Sequence, residues 1–143
     1  MIRHTVRALC AASLIVAPLA LSTPAHAVTC TVNGFSRTAT HLTGTAGNDY
    51  IRCASIPAGH SVDGLGGNDY ISVTGTVAQG AEVRGGTGND YMQVSTNNGL
   101  VAGNEGDDYI QVNTNNGVVS GGAGTDSCQV ASGNAPQADC EVG

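Results

Sequence analysis

The sequence predicts an all-β fold, a right-handed parallel β-solenoid (β-roll) of about five rungs, each 18–21 residues long, with disulfide-capped ends. Three observations predict it. Glycine-rich segments recur at near-constant spacing, apolar residues keep fixed places beside them, and no helical period competes within the repeats.

The recurring segments are GTAGNDYI (44–51), GLGGNDYI (64–71), GGTGNDYM (85–92), GNEGDDYI (103–110) and GGAGTDSC (121–128). Their first and fourth places are always glycine: Gly44 and Gly47, Gly64 and Gly67, Gly85 and Gly88, Gly103 and Gly106, Gly121 and Gly124. The sixth place is always aspartate, at Asp49, Asp69, Asp90, Asp108 and Asp126. Apolar columns flank each segment. Leu42, Val62, Val83, Val101 and Val119 stand two residues before the first glycine. Ile51, Ile71, Met92, Ile110 and Cys128 stand two after the aspartate, and Cys53, Val73, Val94, Val112 and Val130 two further on.

Aspartate, apolar, apolar at alternate places is a strand pattern that puts all three on one face. Tyr50, Tyr70, Tyr91 and Tyr109 then point to the other face as an outward ladder. A period of 18 fits two short strands and two turns. The second turn is NNG at 97–99 and 115–117, where Asn and Gly accept the backbone of a tight reversal; the longer IPAGH and VAQGA stretches replace it in the first two repeats. No rung can bury its apolar side alone, so the rungs must stack.

The chain divides accordingly. Residues 1–27 read as a secretory signal peptide: Arg3 and Arg7, the apolar run ALCAASLIVAPLAL, then Ala25-His26-Ala27. That run is shorter than a membrane span and broken by Pro18, so no membrane association is expected after cleavage, and the expected localisation is secreted, extracellular. Residues 28–43 form an N-terminal cap, 44–130 the repeats and 131–143 a C-terminal cap. Past the signal, Cys30, Cys53, Cys128 and Cys140 are an even set suited to an oxidising compartment. Cys53 occupies a core place in the first repeat and Cys128 one in the last. Each therefore stands at an open end of the stack, which predicts Cys30–Cys53 and Cys128–Cys140 as bridges over those ends.

Charge excludes one class of partner. Beyond the signal, Arg37, Arg52 and Arg84 face 11 acidic residues with no lysine, a formal charge of −8. Nucleic acid needs clustered Lys and Arg and is not expected. Stacked aspartates about 4.8 Å apart would repel by roughly 3.5 kcal/mol per neighbouring pair at an effective dielectric near 20. A cation is the natural remedy, and carboxylates with glycine-turn carbonyls form the oxygen-only set that Ca²⁺ prefers. Asp63, Asp107, Glu82 and Glu105 are read as solvated turn charges.

The pattern Gly-Gly-x-Gly-x-Asp-x-apolar resembles the calcium-binding repeat of the RTX (hemolysin-type) family. The resemblance implies Ca²⁺ held between adjacent rungs, with Asp49, Asp69, Asp90, Asp108 and Asp126 as side-chain ligands and backbone oxygens from the ten glycines' turns. Five turns leave four gaps, hence up to about four ions. The chain departs from the family in three respects. Second-place glycine survives only as Gly86 and Gly122, with Thr45, Leu65 and Asn104 elsewhere; the motif recurs on one side only; and an N-terminal signal with four cysteines points to a small stand-alone secreted member.

The expected function is therefore calcium binding coupled to folding, with a Kd of about 10⁻⁴ to 10⁻³ M. An alternative is an extracellular recognition or adhesion module for ice, carbohydrate or a cell surface, using the regular face; a protein or glycan partner is compatible with either. Similar calcium-bound rolls that bind ice present rows of Thr and Asn at the third and fifth places; here the fifth reads Asn48, Asn68, Asn89, Asp107 and Thr125, but the third reads Ala46, Gly66, Thr87, Glu105 and Ala123, a poor ice face. His41 and His60 lie in no nucleophile motif and are expected at the surface or in turns, so the chain is not expected to be an enzyme.

Overall fold

Alternating burial begins as soon as the chain is followed in a computed structural model, which describes residues 27–141. The signal-peptide reading lies outside the described residues, apart from Ala27.

Twelve strands and no helix make up the described fold. A hairpin of β1 (Val28–Val32) and β2 (Phe35–Ala39) comes first. The rungs follow as strand pairs: β3 (His41–Thr43) with β4 (Tyr50–Cys53), β5 (Ser61–Gly66) with β6 (Tyr70–Val77), β7 (Glu82–Thr87) with β8 (Tyr91–Asn97), β9 (Leu100–Glu105) with β10 (Tyr109–Asn115), and β11 (Val118–Ala123) with β12 (Ser127–Gly133). The first strands of the pairs form one sheet in the order β11-β9-β7-β5-β3. The second strands form the other, β12-β10-β8-β6-β4, which the hairpin extends through β1 and β2. Every rung-to-rung pairing is parallel, and only β1 runs antiparallel to its neighbours β2 and β4. This is a parallel β-solenoid of about five turns.

Register follows the repeat columns. Leu42 pairs with Val62, Val62 with Val83, Val83 with Val101 and Val101 with Val119. Ile51, Ile71, Met92, Ile110 and Cys128 pair in the same way. Their side chains fill the space between the sheets, and all are buried. A one-residue slip would turn each column toward water, which is why the register is so strongly set. Each buried Val, Ile or Leu is worth about 1.5–3 kcal/mol, so the narrow core gains its strength by repetition.

Two boundaries differ from expectation. His41–Thr43, placed in the cap, is the first solenoid strand, because His41 pairs with Ser61 and Leu42 with Val62. At the other end β12 runs through Gly133, whose partner is Asn115. The extra residues of the second repeat are taken up partly by an irregularity in β6 between Val73 and Thr76 and partly by the VAQGA reversal.

Both ends carry a disulfide, Cys30–Cys53 and Cys128–Cys140, as the repeat columns predict. Cys30 lies directly opposite Cys53 in the β1–β4 register. Val28, Cys30 and Val32 close the N-terminal end of the core and are buried. At the other end Gln137 N–H donates to the Val119 carbonyl, Glu141 bridges to Ser127, and Cys140 is buried against the core.

Candidate functional site

The five glycine turns stack on one side of the solenoid, between the two sheets. Their second place needs a left-handed backbone: Gly86 and Gly122 adopt it at φ 123° and 119°. Leu65 (φ 77°) and Asn104 (φ 86°) adopt it too, so these substitutions leave the turn conformation intact. Thr45 does not, and the first turn is built differently.

Two ladders of side-chain oxygens run through the turns in opposite directions. At the fifth place, each side chain accepts from the backbone N–H of the following rung: Asn48 from Asn68, Asn68 from Asn89, Asn89 from Asp107, and Asp107 from Thr125, at 2.8–3.1 Å. At the sixth place, each Oδ1 accepts from the preceding rung: Asp69 from Asp49, Asp90 from Asp69, Asp108 from Asp90, and Asp126 from Asp108, at 2.7–2.9 Å. The fifth-place oxygens are thereby committed to turn stability rather than presented as a free row. Asp63 Oδ1 likewise accepts its own turn's Leu65 N–H, and Glu82 pairs with Arg84 at 2.7 Å.

The second carboxylate oxygen behaves differently. All five aspartates are buried, and Oδ2 of Asp69, Asp90, Asp108 and Asp126 has no hydrogen-bond partner. Each points at the first glycine of its own turn. A Cβ placed on Gly64 would lie less than 3 Å from both Asp69 Oδ2 and the Gly85 carbonyl oxygen of the next rung. Gly85 stands in the same relation to Asp90 and the Gly103 carbonyl, and Gly103 to Asp108 and the Gly121 carbonyl. Acceptor therefore faces acceptor across each interior gap, with glycine leaving the space between them open.

Burial pushes the carboxyl groups of Asp69, Asp90, Asp108 and Asp126 up from their usual range, partly offset by the N–H donors and reinforced by neighbouring carboxylates. Asp90 is raised to about 7 and Asp108 to about 6, and Asp69 and Asp126 are also raised.

The first turn is closed from within. Thr45 N–H and Thr45 Oγ1 both donate to Asp49 Oδ2, and Asn33 Nδ2 donates to Asp49 Oδ1. Asn33 Oδ1 also accepts Tyr50 N–H at 2.8 Å, so this cap residue imitates a preceding rung. At the far end, Glu141 Oε2 accepts Asp126 N–H in place of a sixth aspartate. Neither residue carries a repeat signature. Only the disulfide-bonded caps bring them to the ladder.

The opposite reversal offers an internal comparison. There Asn97 and Asn115 are fully buried. Asn97 Oδ1 accepts Gly99 N–H at 3.0 Å, while its Nδ2 donates to Asn115 Oδ1 and the Val118 carbonyl. Asn115 repeats the arrangement with Gly117 N–H and the Asn134 carbonyl. Rungs one and two place Ile56 and Val77 in this column instead. The chain thus uses amide or apolar residues at this reversal, where every bond closes, and carboxylate at the other, where in four of the five turns one oxygen is left over.

Other expected features find definite places. The tyrosines form an outward ladder, ring centroids 4.9–5.3 Å apart and nearly parallel, so the inner ring faces cover one another. His60 is buried, with Nδ1–H donating to the Ala58 carbonyl. His41 Nδ1 lies 2.8 Å from Ser61 Oγ, a contact the parallel register creates and the sequence does not announce. That imidazole receives no carboxylate among the described residues.

Among the described residues no three His, Cys, Asp or Glu side chains converge on a single point. A cation held in a gap would draw on one aspartate Oδ2 per rung together with glycine carbonyls, a hard-oxygen set. Comparison with protein-family models, with curated proteins and with solved structures returns no match.

Proposed function

We propose that the protein is a secreted, non-catalytic calcium-binding solenoid, a small relative of the RTX repeat proteins, in which Ca²⁺ bound between rungs is coupled to folding. One observation carries the reading. Asparagine at the sixth place would keep the Oδ1 cap and turn an amide donor toward the facing carbonyl, as Asn97 and Asn115 do at the other reversal. The chain instead writes aspartate in all five turns, and in the three interior ones, at Asp69, Asp90 and Asp108, sets an unpaired acceptor against a carbonyl. Such an acceptor costs about 1–3 kcal/mol unless a cation or proton sits between the oxygens.

The gaps are not equivalent in this reading. Those following Asp69, Asp90 and Asp108 each offer a free Oδ2 and a next-rung carbonyl. Asp49 is already satisfied by Thr45, and Asp126 has no sixth repeat beyond it. Three interior ions is the stoichiometry this distribution favours, within the four that five turns allow. The two disulfides suit an extracellular setting.

Calorimetric titration of the chelator-treated protein with Ca²⁺ tests stoichiometry directly. An unchanged circular dichroism spectrum and melting temperature between millimolar calcium and excess chelator would overturn the proposal.

A further inference from the structure

We infer a second binding surface on the opposite side of the solenoid from the aspartate turns: a groove for a neutral, extended polysaccharide. Its volume is about 490 Å³, and it runs along the reversals past Gly80, Gly99 and Gly117 to Asn134. Those three rung steps span about 14 Å at about 4.8 Å each.

Its chemistry is specific. Asn98, Asn116 and Asn134 follow one another at successive rungs, with Asn116 Nδ2 donating to Asn98 Oδ1 at 2.9 Å. That bond orients the row and leaves Asn98 Nδ2 and Asn116 Oδ1 without a protein partner among the described residues, one donor and one acceptor. Leu100 and Val118 stand beside the amides, and Val118 is 40% exposed. Amides for hydroxyls and apolar patches for ring faces are what a sugar chain requires. The rung spacing is also close to the length of one pyranose in an extended β-linked chain, so successive sugars would meet successive amides.

Charge narrows the ligand further. Glu82 is the sole charged residue lining the groove, and Arg84 already pairs with it. A neutral strip on a chain with formal charge −8 beyond its signal segment disfavours acidic glycans and offers nothing to hold a cationic chain. The surface is independent of the calcium reading, since none of its residues belongs to a glycine turn.

The test is retention of the calcium-loaded full chain on insoluble cellulose, chitin and β-mannan, with alginate as the acidic control. Retention on at least one neutral polymer is expected, unaffected by about 0.5 M NaCl because no ion pair is involved. The Asn98→Ala, Asn116→Ala double variant should lose at least about tenfold in affinity, close to 1.4 kcal/mol. Its circular dichroism and calcium response should stay unchanged, as both side chains lie outside the core. Gln93→Ala, on the outer face of the other sheet, should retain full affinity. No retention on any neutral polymer, equal loss in Gln93→Ala, or elution by salt would overturn the inference.

Discussion

Replacing Asp90 by asparagine should move stability in opposite directions with and without calcium. In wild type, Asp90 Oδ1 accepts Asp69 N–H at 2.7 Å while Oδ2 lies unpaired beside the Gly103 carbonyl. Asp90→Asn keeps the first bond and exchanges the second oxygen for a donor. Removing one buried unpaired acceptor is worth about 1–3 kcal/mol. Taking about 2 kcal/mol, and about 4 °C per kcal/mol for a domain of this size, the variant in chelator should melt roughly 8 °C above wild type. With calcium at about 100 times Kd, each site adds about 2.7 kcal/mol, so three sites add about 8 kcal/mol to wild type. The variant loses one, which more than cancels its advantage and leaves it less stable than wild type by about 1 kcal/mol. Thermal melts of both proteins in chelator and in about 10 mM calcium, a concentration set by the affinity of extracellular modules, read out the crossing. A variant that melts below wild type in chelator would show that Asp90 Oδ2 is not an unpaired acceptor, and one whose calcium-induced shift equals that of wild type would show that it is not a calcium ligand.

The reverse exchange, Asn115→Asp, should cost about 2–4 kcal/mol whether or not calcium is present, because it loses the Nδ2 bond to the Asn134 carbonyl and buries a carboxylate where no gap opens; denaturant melts in both conditions check it. Chelated wild type should become more stable on acidification. The folded aspartates titrate at raised values, about 7 for Asp90 and about 6 for Asp108, against 3.8 when unfolded. Their contribution is complete below about pH 4 and is lost as pH rises through 6 to 7. Melting temperatures in chelator should therefore rise between pH 7.5 and 5, and a fall would contradict the burial of the ladder. Removing Cys30–Cys53, whose ends are 23 residues apart, should cost about 3 kcal/mol by loop entropy. The paired Cys30→Ser, Cys53→Ser variant should also expose Val28 and Val32 and speed hydrogen exchange in the hairpin before the central rungs.

Much of the candidate site is legible in the chain because a solenoid writes its third dimension as a period. The interval between aspartates is the path once round the rung, so residues one period apart become neighbours. The buried columns, the stacked Asp49 to Asp126, the outward tyrosines and both disulfides all follow from that rule. The same rule fails wherever the repeat stops. Asn33 and Glu141 complete the ladder at its two ends, yet neither lies at a repeat interval, and only the folded caps place them.

The sequence alone determined the solenoid, its register and the identity of the aligned aspartates, since periodic burial leaves a single way to stack the rungs. Tertiary structure decided which oxygen of each aspartate is free. That depends on donors from neighbouring rungs: Oδ1 is taken by the preceding N–H, Thr45 closes the first turn, and the interior Oδ2 atoms are left facing carbonyls. Hydrogen-bond completion is a property of atoms brought together across rungs, and residue types in a row do not specify it.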